Sequence, residues 1–301
     1  MVPPAGTPWE TDTLTKPAMA DVAAVKAMVE ATEARADKAW AESFKTHKVT
    51  PLAQVSTGPR LNEDRFAVAW DKATNKVSAR AGNSSVLNAY LPAFSRYPMF
   101  LMADVTQKPT NTDQQARFLQ VWVRSHADQP WKLYSRSWVL KALPEPPDSD
   151  LSTPSAEQAR SAVEAANEIG KAMAGDDSSV TLPESLAHIR AETLKTSATV
   201  DKTSMSARPY APFTAKDSAG EGLHMVATHR GTLAVASYVL TTKLYPEPGK
   251  TLRWRSPRDK VFGADLRPSL SFDLSLAALY LVDPEGKATI IGWLTDDTMG
   301  G

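Results

Sequence analysis

Five histidines, His47, His126, His188, His224 and His229, are the side chains best suited to proton transfer or metal ligation near neutral pH. Only His224 and His229 are close in sequence, and on one strand their odd spacing points them to opposite faces. No H-x-x-x-H or H-E-x-x-H spacing occurs, so no metal site is expected. G-x-S-x-G, G-x-x-x-x-G-K-[ST] and G-x-G-x-x-G are also missing, and the 14 glycines form no phosphate cradle, so no cofactor is expected. Two pairings, Asp104 with Tyr90 and Asp265 with Tyr245, come nearest to the carboxylate base and phenol donor of an isomerase pocket. Asp104 is in phase with Phe100 and Met102 and is therefore expected to face inward. No residue is assigned a catalytic role on this basis.

The densest unusual chemistry is the segment Lys250–Lys260. It holds five cations and one carboxylate, with Trp254 between two arginines. Arginine and tryptophan dominate binding hot spots, and arginine clusters grip carboxylates and phosphates. Arg253, Trp254, Arg255, Arg258 and Lys260 are the expected partner- or ligand-binding residues, with Trp254 exposed. Such a segment suits a protein partner or an anionic ligand. Trp122, Trp131 and Trp138 cluster elsewhere; most tryptophans are expected in a core, and several exposed together would mark an interaction face.

Composition narrows the remaining classes. Lys+Arg and Asp+Glu both total 34, so the basic excess of a dedicated nucleic-acid binder is missing. With no cysteine, thiol catalysis, disulfides and Cys-ligated zinc are excluded. No run approaches the about 18 apolar residues of a transmembrane helix. Residues 1–16 are rich in Pro and Thr, without a basic start or an apolar stretch. They read as a flexible lead, either of the kind that follows a removed export signal or an ordinary disordered N-terminus.

These residues must be positioned by two successive sets of elements. Val22, Val25, Met28, Val29, Thr32, Ala36, Ala39, Trp40 and Phe44 recur at spacings of three and four, predicting a helix over about 17–48. Strands are expected at 65–70, 75–80, 99–106, 116–127 and 131–140, with a short helix somewhere in 84–94. The segment 143–152, rich in Pro, Asp and Ser, reads as a linker. A second helix should be capped by Thr153 or Ser155, with Ser155-x-x-Gln158 matching a capping box, and stop at Gly175. Another, opened by Thr181-Leu182-Pro183-Glu184, is expected to run to about Ser197. Strands follow at roughly 203–213, 222–229, 232–244, 269–282 and 287–294, the last pair joined by Asp283-Pro284-Glu285-Gly286.

Both halves thus run helix first and finish on a hairpin, and Phe118–Leu140 and Phe272–Leu294 are equal in length. The expected fold is α+β, with two tandem domains at 17–142 and 153–296. In each, a helix packs on a curved antiparallel sheet, the plan of cystatin-like and nuclear-transport-factor-like folds. Thr57-Gly58-Pro59-Arg60-Leu61 with Arg65-Phe66-Ala67-Val68 is one matching block. Arg208-x-Tyr210-Ala211-x-Phe213-Thr214-Ala215-Lys216-Asp217 with Gly222-Leu223-His224-Met225-Val226 is another. Over most of its length the chain resembles a family of uncharacterised actinobacterial exported proteins, often lipoproteins, with tandem domains of this kind. That resemblance implies an export signal and a lipid-bearing cysteine. This chain has neither, so the resemblance implies a trimmed form, attached to a membrane only through an anchor it does not carry. The family brings no activity with it.

The reading that results is a non-catalytic binding module of the bacterial cell envelope, exported, engaging a protein partner or a small ligand. Its rivals are an isomerase- or hydrolase-like enzyme with a pocket in one domain, and a structural scaffold. An enzyme needs a pocket with convergent Asp, Tyr or His side chains. A scaffold needs a large apolar interface between the halves.

Overall fold

The structure, a computed structural model, describes residues 22–75, 81–92, 97–109, 115–146, 153–213, 219–220 and 222–298. The lead at 1–16, most of the strand expected at 75–80 and most of the 143–152 linker fall outside these. The chain is an α+β protein with two antiparallel sheets and helices packed against them.

The first half opens with α1 (Val22–Thr46) and a 3-10 turn at Leu52–Gln54, followed by α2 (Gly58–Thr74). α2 corrects the strand expected at 65–70. Phe66, Val68 and Trp70 alternate as a strand would, but the longer frame is helical. Thr57 is extended at the N-cap, Pro59 sits in the first turn, and Asn75 ends the helix in the left-handed region at φ 54°. Four strands follow in sequential order: β1 (Ala81–Tyr90), β2 (Met99–Pro109), β3 (Ala116–Arg124) and β4 (Lys132–Trp138). β1 replaces the short helix expected within 84–94. Pairing of Val86 with Val105 and Ala89 with Ala103 overrides the weak strand propensity of its Asn and Ser residues.

In the second half α3 (Ala156–Ala174) has the expected capping box, and Gly175 closes it at φ 94°. α4 (Glu184–Thr193) leads to β5 (Lys202–Pro209), the two-residue β6 (Ala219–Gly220), β7 (Leu223–Thr228) and β8 (Gly231–Tyr245). A four-residue helix, α5 (Asp259–Phe262), precedes β9 (Leu270–Val282) and β10 (Ala288–Thr298). β8 is the spine of this sheet. β9 pairs along one side, while β7 and β5 share the other. The equal-length hairpins do not superpose in register. Phe118 pairs with Trp138, whereas Phe272, its equivalent by length, lies beyond the Asp273–Thr298 pair that ends its ladder.

Strand alternation decides which faces meet. From β2 and β3, Phe100, Met102, Leu119 and Val121 lie on one face. From β7 to β9, Val226, Leu233, Val235, Ala277 and Leu279 lie on another. These two sets form one apolar core, so the sheets pack face to face. The opposite face of the second sheet, with Met225, Ala234, Ala236, Tyr238, Leu276, Ala278 and Tyr280, is covered by α3. Alanines at 159, 162 and 166 let that helix come close, and the hydroxyls of Tyr238 and Tyr280 donate to the carbonyls of Ala166 (2.6 Å) and Ala162 (2.7 Å). The opposite face of the first sheet lies under α1 and α2. The layer order is helix, sheet, sheet, helix.

The sheets are also joined by backbone hydrogen bonds. β10 carries a bulge between Ile290 and Gly292, which leaves the Ile291 carbonyl free of its ladder. That oxygen accepts from the backbone N–H groups of Leu140 (2.9 Å) and Lys141 (3.1 Å), just past β4. A Cβ on Gly292 would lie 1.9 Å from the Trp138 carbonyl oxygen. Gly292→Ala must therefore push β4 off β10. The expected loss is about 1–3 kcal/mol, the usual cost of overpacking, seen as a lower denaturation midpoint. An unchanged midpoint would show that the two strands do not meet there.

Candidate ligand-binding cavity

A cavity of about 100 Å³ lies between α1, α2 and the outer face of the first sheet. Its walls follow from simple spacing. Glu33, Ala36, Asp37 and Trp40 sit three and four apart along α1, so they share one helix face. Gln120 and Trp122 alternate onto the same side of β3, and their ladder partners Arg136 and Leu133 on β4 extend that side. Gln107 of β2 and Arg60 of α2 complete the polar lining. The edge of β4 is closed by residues 55–57, where Leu133 N–H donates to Val55 O and Thr57 N–H donates to Leu133 O, both at 2.9 Å. Gly58, at φ 56°, follows immediately. A Cβ there would lie 2.3 Å from the Tyr134 ring, so glycine is required for α2 to start against the sheet.

Glu33 organises one end of the cavity. Its carboxylate accepts from Gln107 Nε2 (3.1 Å), Gln120 Nε2 (2.9 Å) and the Ser84 hydroxyl. Gln120 Oε1 in turn accepts from the Trp122 indole N–H at 3.1 Å. With both amide nitrogens turned to Glu33, the orientation of Gln107 is fixed, and its Oε1 is buried without a hydrogen-bond partner among the described residues. Gln107 is 5% exposed. A buried acceptor left unsatisfied costs about 1–3 kcal/mol. At the other end Arg136 has its Nε buried without a partner among the described residues, and its guanidinium lies 5.2 Å over the Phe118 ring.

Behind the cavity, Arg60 anchors a buried charge cluster that crosses to the second sheet. Its Nη1 lies 3.0 Å from Glu63 Oε2 and its Nη2 lies 2.9 Å from Asp64 Oδ1. Ser275 of β9 donates to Glu63 Oε1 at 2.6 Å. Burial works against the Arg60 cation, but the charges of Asp64 and Glu63 more than offset it and hold the guanidinium above its ordinary value. Burial also pushes the Glu63 carboxyl up to about 7, against the opposing pull of Arg60. Arg136, by contrast, is held below its ordinary value by burial and by repulsion from Arg60.

The residues singled out from sequence lie elsewhere. Trp254, expected on the surface, is 8% exposed. Its indole packs at 5.3 Å from Phe262 and 6.1 Å from Phe272, an apolar cluster that the loop needs as an anchor. Arg258 covers the Trp254 and Phe272 rings and reaches Asp297 at 3.4 Å. Arg253, Arg255 and Lys260 are exposed, so the structure gathers cations around the loop but not a tryptophan between them. Asp104 faces inward but is clamped by Arg117 at 2.9 and 2.7 Å, toward the second sheet and away from the cavity. The Tyr90 hydroxyl donates to Pro144 O at 2.6 Å, and burial together with Asp104 raises it. Asp265 is exposed in the loop after α5. Among the described residues no cluster of His, Asp or Glu could hold a metal, and no helix is long and apolar enough to cross a membrane.

His224 is the one histidine in the sheet-to-sheet core. It meets Phe100 and Tyr134 edge-on at 5.0 and 4.7 Å, and burial pulls it down to about 3. No known protein family matches the chain, and no curated protein matches it.

Glu63 and His224 set opposing pH dependences. Folding raises the Glu63 value, so the native state holds the extra proton and stability falls as pH rises from 4.5 to about 7. Folding lowers the His224 value, so the unfolded state holds the extra proton and stability falls as pH drops from 6.5 toward 3. Each slope is at most about 1.4 kcal/mol per pH unit. Glu63→Gln should therefore leave a protein that gains stability between pH 4.5 and 6.5, and His224→Gln one that loses stability there. Denaturant titrations at these pH values check both signs.

Proposed function

We propose that this protein is a non-catalytic binding module of the bacterial cell envelope that holds a small ligand between α1, α2 and the first sheet. The orphaned Gln107 Oε1 on the wall of that cavity carries the reading. An acceptor of this kind is retained at a cost unless something donates to it. The room, roughly that of a few water molecules up to a compound of five to ten non-hydrogen atoms, suits a small ligand. The walls are poorly arranged for chemistry, because the Glu33 carboxylate already accepts from three donors.

The finer likeness belongs to the same proposal. Each half places helices before an antiparallel meander, as cystatin-like and nuclear-transport-factor-like units do, and a cavity under the first helix suits that plan. The envelope location rests on the resemblance to exported actinobacterial proteins. Exposed Arg253, Arg255 and Lys260 support a second role, contact with an anionic partner, on a different part of the molecule. A scaffold role is favoured by one observation, the apolar core shared by the two sheets.

Ligand-observed NMR against a library of small polar compounds tests the cavity. Binders are expected, and Gln107→Leu should weaken them at least tenfold. A library without binders, or binders indifferent to Gln107→Leu, would remove the cavity as the functional site.

A further inference from the structure

The two ends of the cavity differ in charge, and this narrows what fits. On the α1 side stand Glu33, the exposed Asp37 at the mouth, and the orphaned acceptor Gln107 Oε1. The two carboxylates favour a positive group on this side, and among the described residues Gln107 Oε1 alone of the three still lacks a donor. On the opposite side stand Arg60 and Arg136. Arg60 is matched by Asp64 at 2.9 Å and Glu63 at 3.0 Å. Arg136 makes no ion pair among the described residues, and its Nε has no acceptor. A partly buried guanidinium of this kind is best satisfied by a carboxylate. Between the ends lie the rings of Trp40 and Trp122, with Ala36, Val55 and Leu133. Aromatic faces favour an alkylammonium group over a neutral one.

We infer that the cavity binds a small zwitterion, an amino acid or similar ammonium carboxylate, with its ammonium toward Glu33 and Gln107 Oε1 and its carboxylate on Arg136. A simple anion would meet Glu33 and Asp37 on the α1 wall. A simple cation would leave the Arg136 Nε without an acceptor and add to its repulsion from Arg60. A neutral amide would satisfy Gln107 but neither charge. The inference rests on the reading of the cavity as a ligand site and adds the class of ligand.

The test uses the full chain with the Trp122 indole N–H resonance as reporter, because that group is already hydrogen-bonded to Gln120 on the cavity wall. Glycine, L-alanine and γ-aminobutyrate are titrated beside propionate, propylamine and propionamide. At least one zwitterion should shift the resonance saturably, with propionate and propylamine at least tenfold weaker. Arg136→Met should weaken that zwitterion at least tenfold. Arg136→Lys, which keeps the charge, should recover part of the loss, and amide spectra confirm that each variant is folded. Propionate or propionamide binding as well as the zwitterions would overturn the ligand class while leaving the cavity as the site. Equal zwitterion affinity in Arg136→Met would overturn it too. No response to any of the six compounds would overturn both readings.

Discussion

The structure depends on the burial of two sheet faces against each other. Phe100, Met102, Leu119 and Val121 on one side and Val226, Leu233, Val235, Ala277 and Leu279 on the other have no alternative cover. Removing these side chains from water is worth about 1.5–3 kcal/mol each, and neither sheet recovers that alone. The contact fixes everything outside it. Because strand side chains alternate, each inward face dictates an outward one, and each outward face must be met by helices. The bulge at Ile291, the glycine at 292 and the Ser275–Glu63 hydrogen bond hold the two sheets in one relative position.

The outward faces were then filled differently. The second sheet meets α3 through tyrosines, alanines and aliphatic side chains, and its two buried hydroxyls are satisfied by the helix backbone. The first sheet turns Gln107, Gln120 and Arg136 outward, and α1 answers with Glu33 and Trp40. Polar side chains pack less completely than apolar ones because each must also reach a hydrogen-bond partner. Two of them keep an atom without one among the described residues, Gln107 at Oε1 and Arg136 at Nε. The cavity is thus the place where the first half departs from an apolar helix-on-sheet layer. Arg60 ties it to the second half, since the guanidinium that lines the cavity also holds Glu63 against Ser275.

Much of the fold was legible in the sequence. The capping box at Ser155, the stop at Gly175 and the turn at Asp283–Gly286 are local signals with local causes, and the strands around them fell close to place. α2 was not read because a six-residue window at 65–70 satisfies both periods. The cues that decide it, Pro59 and Asn75, lie outside that window. β1 was missed because its pairing with β2, not its own composition, makes it a strand. The site was less legible still. A rare cluster of arginines around Trp254 drew the eye, yet the tryptophan is the anchor of its own loop. Gln107, Gln120 and Arg136 are ordinary residues on three different strands, and only the ladder registers bring them to one side. A polar residue in phase with Trp122 on a strand was the one signal that could have pointed there.

The shared core makes a direct claim about cooperativity, and native-state amide hydrogen exchange measures it. If the two sheets stand or fall together, the slowest amides of Leu119 and Val121 and those of Val235 and Leu279 exchange with the same free energy, that of global unfolding. If one sheet opens while the other stays closed, their exchange free energies would differ by about 2 kcal/mol or more, and denaturant would move them independently. The first result is the one this structure predicts. The second would contradict it.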